Sequence, residues 1–174
     1  NDYTHLLMLD DDHVFDGQTF TKLWEAMQSR DDVHLISALY FTRGRPTCPC
    51  IWKLTTEGTV PVYYYPEDQL FQVDVVGFGF VLFDMSLFKE KITPPWFDLG
   101  RGFGEDAAFC ARLLQNGYKV WTHTGAKIGH IFEQPTILDE AMYLQEREYV
   151  LPQDPTGKLT LVGTEDRLPA QRPP

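Results

Sequence analysis

The stretch Leu6-Leu7-Met8-Leu9-Asp10-Asp11-Asp12-His13 constrains this chain more than any other. An apolar run with the look of a buried strand ends in three consecutive carboxylates. A strand core cannot hold unpaired anions without a large desolvation cost. The acids therefore belong just past the strand's C-terminal end, where open α/β sheets place their ligands. Adjacent carboxylates repel one another unless protons, bases or a cation intervene, and a hard divalent ion with oxygen ligands meets that need. A solvated acidic turn is the plain alternative, and the stretch alone leaves both open.

At 174 residues the chain fits one domain with a core of useful size, and its apolar and aromatic content is too high for disorder. Lys and Arg total 15 against 25 Asp plus Glu, a formal net charge of -10. That balance argues against nucleic acid or an anionic membrane as the main partner, and it leaves any phosphate-bearing substrate to a metal or a few placed bases. The three cysteines, Cys48, Cys50 and Cys110, form no C-x-x-C pair, so reduced thiols in a cytoplasmic protein are the expectation. No apolar run is long enough to span a membrane.

Asp16 is placed to cap a helix carrying Phe20, Leu23, Trp24 and Met27, which should end between Ser29 and Asp32. Val33 to Phe41 reads as a core strand, followed by a basic loop, Arg43 to Arg45, that either lies near phosphates or is a solvated turn. Cys50 to Leu54 and Val60 to Tyr65 form a hairpin pattern. Phe71 to Val76 is a strand that Gly77 and Gly79 interrupt before Val81 to Phe83 resumes, as a bulge or a close backbone approach would require. A short helix near Ser86 to Lys91 precedes a Pro- and Gly-rich loop carrying Trp96 and Arg101, suited to binding or to packed connection. Glu105 and Asp106 open a helix that Gly117 closes, and acids there are favoured by the helix dipole. Tyr118 to Thr122 and Lys127 to Ile131 read as strands, the second ending near His130. Leu138 to Tyr149 reads as a helix with Leu138 and Met142 inward, and residues 151–174 as an extended Pro-rich tail with a short hairpin about Lys158 to Val162.

The acids and His130 both end expected strands and so can converge on one sheet edge. Two carboxylates plus an imidazole suit Mn2+ or Mg2+, with open positions left for phosphate oxygens, and such an ion assists a diphosphate leaving group. Asp106, at the mouth of a loop, is placed as a general base for a hydroxyl.

Taken in order, Leu9-Asp10-Asp11-Asp12, Val76 to Leu82, Gly104-Glu105-Asp106 through Arg112, Gly117 to Trp121 and Ile128-Gly129-His130 resemble a GT-A glycosyltransferase of the broad family 2 type. The similarity runs from Leu6 to about Ile131. It implies an α/β fold with a Rossmann-like mixed sheet flanked by helices over residues 1–150. The implied activity is transfer of a sugar from a nucleotide-sugar donor to an acceptor hydroxyl, with inversion. Asp10 and Asp12 match the D-x-D, Asp12 as metal ligand and Asp10 at metal and donor, with Asp11 the variable middle residue. His130 matches the histidine that completes the metal site. Asp106 matches the catalytic base, with Glu105 beside it. Gly77 and Gly79 match the segment under the donor sugar and acceptor, and Trp96 an acceptor contact. Arg101 is assigned to the diphosphate on charge alone. In the family, nucleotide-binding strands and helices precede the D-x-D, whereas here only a short stretch does. The expectation is a C-terminal portion of the domain that self-associates or pairs with a chain supplying the remainder.

Two rivals remain. Asp10-x-Asp12 after a strand also resembles the first motif of haloacid-dehalogenase phosphatases, with Asp10 as nucleophile, though that reading leaves His130 unused. The other is a non-catalytic module that binds metal or glycan.

Overall fold

The computed structural model describes residues 2–44, 46–97, 104–133 and 136–150. Arg101, Arg45 and the tail at 151–174 lie outside the described residues. In chain order the elements are β1 (His5–Leu9), β2 (His13–Val14), α1 (Gly17–Gln28), β3 (Leu35–Leu39), β4 (Ile51–Thr55), β5 (Gly58–Pro61), β6 (Leu70–Val73), β7 (Val75–Val76) and β8 (Phe80–Asp84). A π-helical turn at Leu87–Lys91 follows, then α2 (Glu105–Gln115), β9 (Val120–Lys127), β10 (Gly129–Glu133), β11 (Thr136–Leu138) and α3 (Glu140–Val150).

The chain is mixed α/β. Its main sheet has the order β1-β8-β3-β9-β6. β3 and β9 are parallel, β8 runs antiparallel to both β1 and β3, and β6 runs antiparallel to β9. β1, β3 and β9 therefore share one direction and release their C-terminal ends at a common margin.

Period-two alternation splits the core between the two sheet faces. Leu35, Leu39, Val81 and Phe83 pack with Phe109, Cys110 and Leu113 of α2. Ile36, Ala38, Phe80 and Leu82 pack with Leu23, Ala26 and Met27 of α1. α1 starts where its cap dictates: the Asp16 carboxylate accepts from the amides of Gln18 and Thr19 at 2.9 and 3.1 Å.

β1 corrects the expectation of a buried strand. It is the margin of the sheet, and Leu6, Leu7 and Leu9 are 36%, 39% and 43% exposed. The Asp10 amide donates to Gly79 and the Met85 amide to Thr4, so even-numbered backbone groups face β8. Those of His5, Leu7 and Leu9 face outward. Apolar composition announces a strand without fixing its depth, because edge and interior strands both draw on Leu and Met.

The glycine interruption is not a bulge in one strand. β6 closes the far side of the main sheet, β7 joins the β4–β5 hairpin in a second sheet, and β8 enters the middle of the main sheet. Gly77 to Gly79 is the crossover between sheets. A Cβ on Gly77 would lie 2.1 Å from the Tyr40 hydroxyl, and one on Gly79 would lie 2.5 Å from His13 Cε1. The glycines are there because two rings fill the space where side chains would be.

α3 differs in its inward residue. Leu138 belongs to β11, and Tyr143 is the buried anchor, stacked on Phe41 with centroids 4.8 Å apart. A Tyr fits because its hydroxyl reaches the Tyr63 carbonyl.

Gly77→Ala should destabilise the fold by about 1–3 kcal/mol, the range for overpacking a filled site. Tyr40→Phe removes both the colliding oxygen and the acceptor for the Gly79 amide, at about 1–3 kcal/mol for the orphaned donor. Urea titrations of the two single variants and the double variant should show a coupling of at least about 0.5 kcal/mol, with the double less destabilised than the sum. Strict additivity would mean that Gly77 and Tyr40 do not share that space.

Candidate functional site

Three strand ends and one strand start meet at the margin of the main sheet. β1 delivers Asp10, Asp11 and Asp12; β3 leads into Tyr40, Phe41 and Arg43; β9 leads into β10 and His130; β8 begins after Gly79. The decisive local device is β2. Two residues long, it pairs antiparallel with β10 so that His13 lies opposite His130, while the Ile131 amide donates to the Asp12 carbonyl at 2.8 Å.

The paired imidazoles stack with centroids 4.4 Å apart and planes 17° apart. Tyr40 meets His13 edge-on at 4.7 Å. The Asp12 carboxylate joins them, Oδ2 standing 3.3 Å from His130 Nε2 and Oδ1 standing 3.2 Å from His13 Nδ1. His130 Nδ1 donates to the Phe41 carbonyl at 2.8 Å, because a carbonyl can only accept. That bond fixes the neutral ring's tautomer and turns the Nε2 lone pair toward Asp12, as in metal-binding histidines. Among the described residues, Asp12, His13 and His130 form a group whose donor atoms all lie within 4.8 Å of one another.

Burial pushes the Asp12 carboxyl up, but His130, His13 and Arg43 outweigh it and hold the group below its usual range. His13 is lowered, first by its own burial and then by His130, against the opposing pull of Asp12 and Asp10. Arg43 Nη1 lies 3.0 Å from Asp12 Oδ2. The basic loop therefore puts Arg43 onto an acid of the chain itself.

The second half of the site is the start of α2. Gly104 offers no capping side chain, and the Asp106 carboxylate accepts from the Ala107 amide at 2.7 Å. Asp106 is half-buried and its carboxyl is raised. Burial is the largest cause, Glu105 and Asp10 add repulsion, and the Ala107 bond opposes them. Asp10 thus acts on both His13 and Asp106. Glu105 is exposed beside it.

Of the residues expected from sequence, the fold brings Asp12 and His130 together and couples Asp106 to Asp10. Asp10 is not a member of the donor-atom group, and His13 stands in its place. Gly77 and Gly79 make room for Tyr40 and His13. Trp96 is 38% exposed, with its ring against Phe88 and its Nε1 donating to Ile92. Its loop is tied to α2 by Arg112, which donates to the carbonyls of Thr93, Pro95 and Trp96. Sequence reasoning missed His13, Tyr40 and Arg43. The signal for His13 was its place beside Asp12, one residue beyond the acids.

Asp106 titrates with a definite sign. A carboxyl whose folded-state affinity for protons is raised adds stability below its unfolded pKa and loses it as pH rises through the folded value. At neutral pH the ionised Asp106 therefore opposes folding. Asp106→Asn should raise the urea midpoint at pH 7, with the gap over the parent closing as the pH falls through the carboxyl range. A lower midpoint for the variant at pH 7 would contradict this account.

No protein-family model matches the chain. No curated protein matches it either. Among solved structures, fifteen chains match, and one of them is the crystal structure of A197 from STIV. It superposes with a TM-score of 0.57 at 19% identity, covering 81% of this chain and 64% of A197. That likeness shows a shared α/β fold, with this chain spanning about two thirds of the other's length.

Proposed function

We propose that this chain is a metal-dependent, GT-A-like glycosyltransferase or a portion of one, moving a sugar from a nucleotide-sugar donor to an acceptor hydroxyl with inversion. One observation carries the reading. Asp12 and His130, the two residues that the resemblance pairs as metal ligands, stand 3.3 Å apart although 118 positions separate them in the chain.

Asp12 and His130 would hold Mn2+ or Mg2+, and the fixed tautomer of His130 fits that task. Such an ion neutralises charge developing on the departing diphosphate. Asp106 accepts the proton of the acceptor hydroxyl while that oxygen bonds to the anomeric carbon and the bond to the diphosphate oxygen breaks. Its raised proton affinity suits a base that must take a hydroxyl proton in the transition state. Glu105 lies beside it for acceptor or sugar hydroxyls, and Asp10 faces the donor. Trp96, partly exposed on a loop anchored to the helix of Asp106, supports an acceptor contact.

The open margin of β1, apolar on both faces, supports addition of a further strand from a second copy or another chain. Three unbridged cysteines support a reducing, cytoplasmic setting. No helix among the described residues is long and apolar enough to cross a membrane. The phosphatase alternative has less behind it. Its last acidic motif should follow a strand, whereas Glu105 begins a helix.

The test is hydrolysis or transfer of a panel of nucleotide-sugars in the presence of Mn2+. Asp106→Asn should lower kcat about 10²- to 10⁴-fold, the usual reach of a general base, with Mn2+ affinity unchanged. Turnover of a phosphomonoester that Asp10→Asn abolishes would favour the phosphatase. Absence of both activities would leave a non-catalytic module.

A further inference from the structure

We infer that His13 is the third metal ligand of this site, so that two imidazoles and one carboxylate select a borderline transition ion over Mg2+, with Arg43 as the internal competitor for Asp12. The inference deepens the proposed reading of the site, and it rests on that reading only for the ion's use in sugar transfer.

His13 carries the argument. Its side chain is fully buried, yet neither ring nitrogen has a hydrogen-bond partner among the described residues. Asp12 Oδ1 lies 3.2 Å from Nδ1 but out of line for a hydrogen bond. Buried polar atoms are ordinarily satisfied, and an orphan at a functional margin calls for a partner such as an ion. The ring is held fast between His130 on one side and Tyr40 on another, with the space at Gly79 left clear for it. A bulky ring fixed this firmly with no hydrogen bond keeps its nitrogens available to an ion.

The other donors agree. His130 spends its Nδ1 proton on Phe41, so in the neutral ring Nε2 and Asp12 Oδ2 are two acceptors facing each other at 3.3 Å. A positive charge there, a metal ion or a second ring proton, removes the conflict. Two ligands on adjacent corners of an octahedral ion, each about 2.1 Å from it, lie about 3 Å apart. The 3.3 Å between His130 Nε2 and Asp12 Oδ2 fits that spacing, and one donor atom from each of Asp12, His13 and His130 lies within 4.8 Å of the other two.

Ligand chemistry then chooses the ion. Mg2+ takes oxygen ligands and surrenders its waters reluctantly, whereas imidazole suits Fe2+, Ni2+ and Zn2+, and Mn2+ serves as the paramagnetic probe of the ligand set. Arg43, with Nη1 at 3.0 Å from Asp12 Oδ2 and its side chain 55% exposed, supplies a positive charge where the ion's would fall. The guanidinium and the ion cannot both hold that oxygen, so loading the site displaces Arg43 into solvent.

The experiment is pulsed electron paramagnetic resonance of the full 174-residue chain loaded with Mn2+ alone. It should show two directly bound imidazole nitrogens in the unaltered chain and one in either His13→Ala or His130→Ala. Calorimetry should show Mn2+ binding weakened at least tenfold in His13→Ala. Arg43→Gln should tighten it several-fold, an effect that shrinks in high salt as exposed charges are screened. A tenfold excess of Mg2+ should leave Mn2+ bound. If His13→Ala does not fold, the nitrogen count of the unaltered chain decides alone. A single nitrogen in that chain, displacement by equimolar Mg2+, or unchanged affinity in Arg43→Gln would overturn the inference while leaving a metal-dependent transferase intact. Failure to bind any divalent ion would overturn both. Two nitrogens with no nucleotide-sugar turnover would support the ligand set and sink the transferase reading.

Discussion

The pairing of β2 with β10 is the interaction on which the site depends. It spans only two residue pairs, but it sets His13 against His130 and pins Asp12 to Ile131 through the backbone. Two imidazoles stacked at 4.4 Å cannot both carry charge cheaply, and burial and His130 together depress His13. Asp12 offsets this strain from its position against both rings. That short ladder brings the third acid of the N-terminal run to a histidine more than a hundred residues later.

Much of the neighbouring architecture is shaped around those rings. Tyr40 extends from β3 to pack edge-on against His13, and its hydroxyl accepts from the Gly79 amide at 3.0 Å. That placement leaves no room for a Cβ at Gly77 or Gly79, so the chain crosses between sheets on glycine. The crossover in turn starts β8 at the site margin, where Gly79 accepts from Asp10 and sets the register of β1. Acid turn, aromatic plug and glycine crossover form one packed unit.

The periodic elements were legible in the residues. The apolar run of Val33 to Phe41 and the helical spacing of Phe20 to Met27 gave the right types in nearly the right places, because the strand is buried on both faces and the helix on one. Asp12 and His130 were legible as partners through the family resemblance. What escaped depends on contacts that local pattern does not encode. β2 is too short to have a period, so nothing in the residues announced that His13 would face His130. Leu70 to Asp84 reads as a strand with a defect, since partition among two sheets is decided by partners distant in sequence. Likewise Arg43 looked like loop charge until the end of β3 carried it to Asp12.

Asp10 joins the two halves of the site. It lies outside the group of donor atoms, yet its charge raises the proton affinity of both His13 and Asp106. A carboxylate that acts on an imidazole at one end of the site and a base at the other ties their charge states together through space. Asp106 feels the repulsion of both Glu105 and Asp10, in a chain with 15 Lys and Arg against 25 acids. Arg43 is spent on Asp12 and Arg112 on the carbonyls of the Trp96 loop. Arg43 thus neutralises Asp12 within the site, and the acids left acting on one another are Asp10, Glu105 and Asp106. Clustered carboxylates draw a cation or a proton, and the half-burial of Asp106 favours its protonated form.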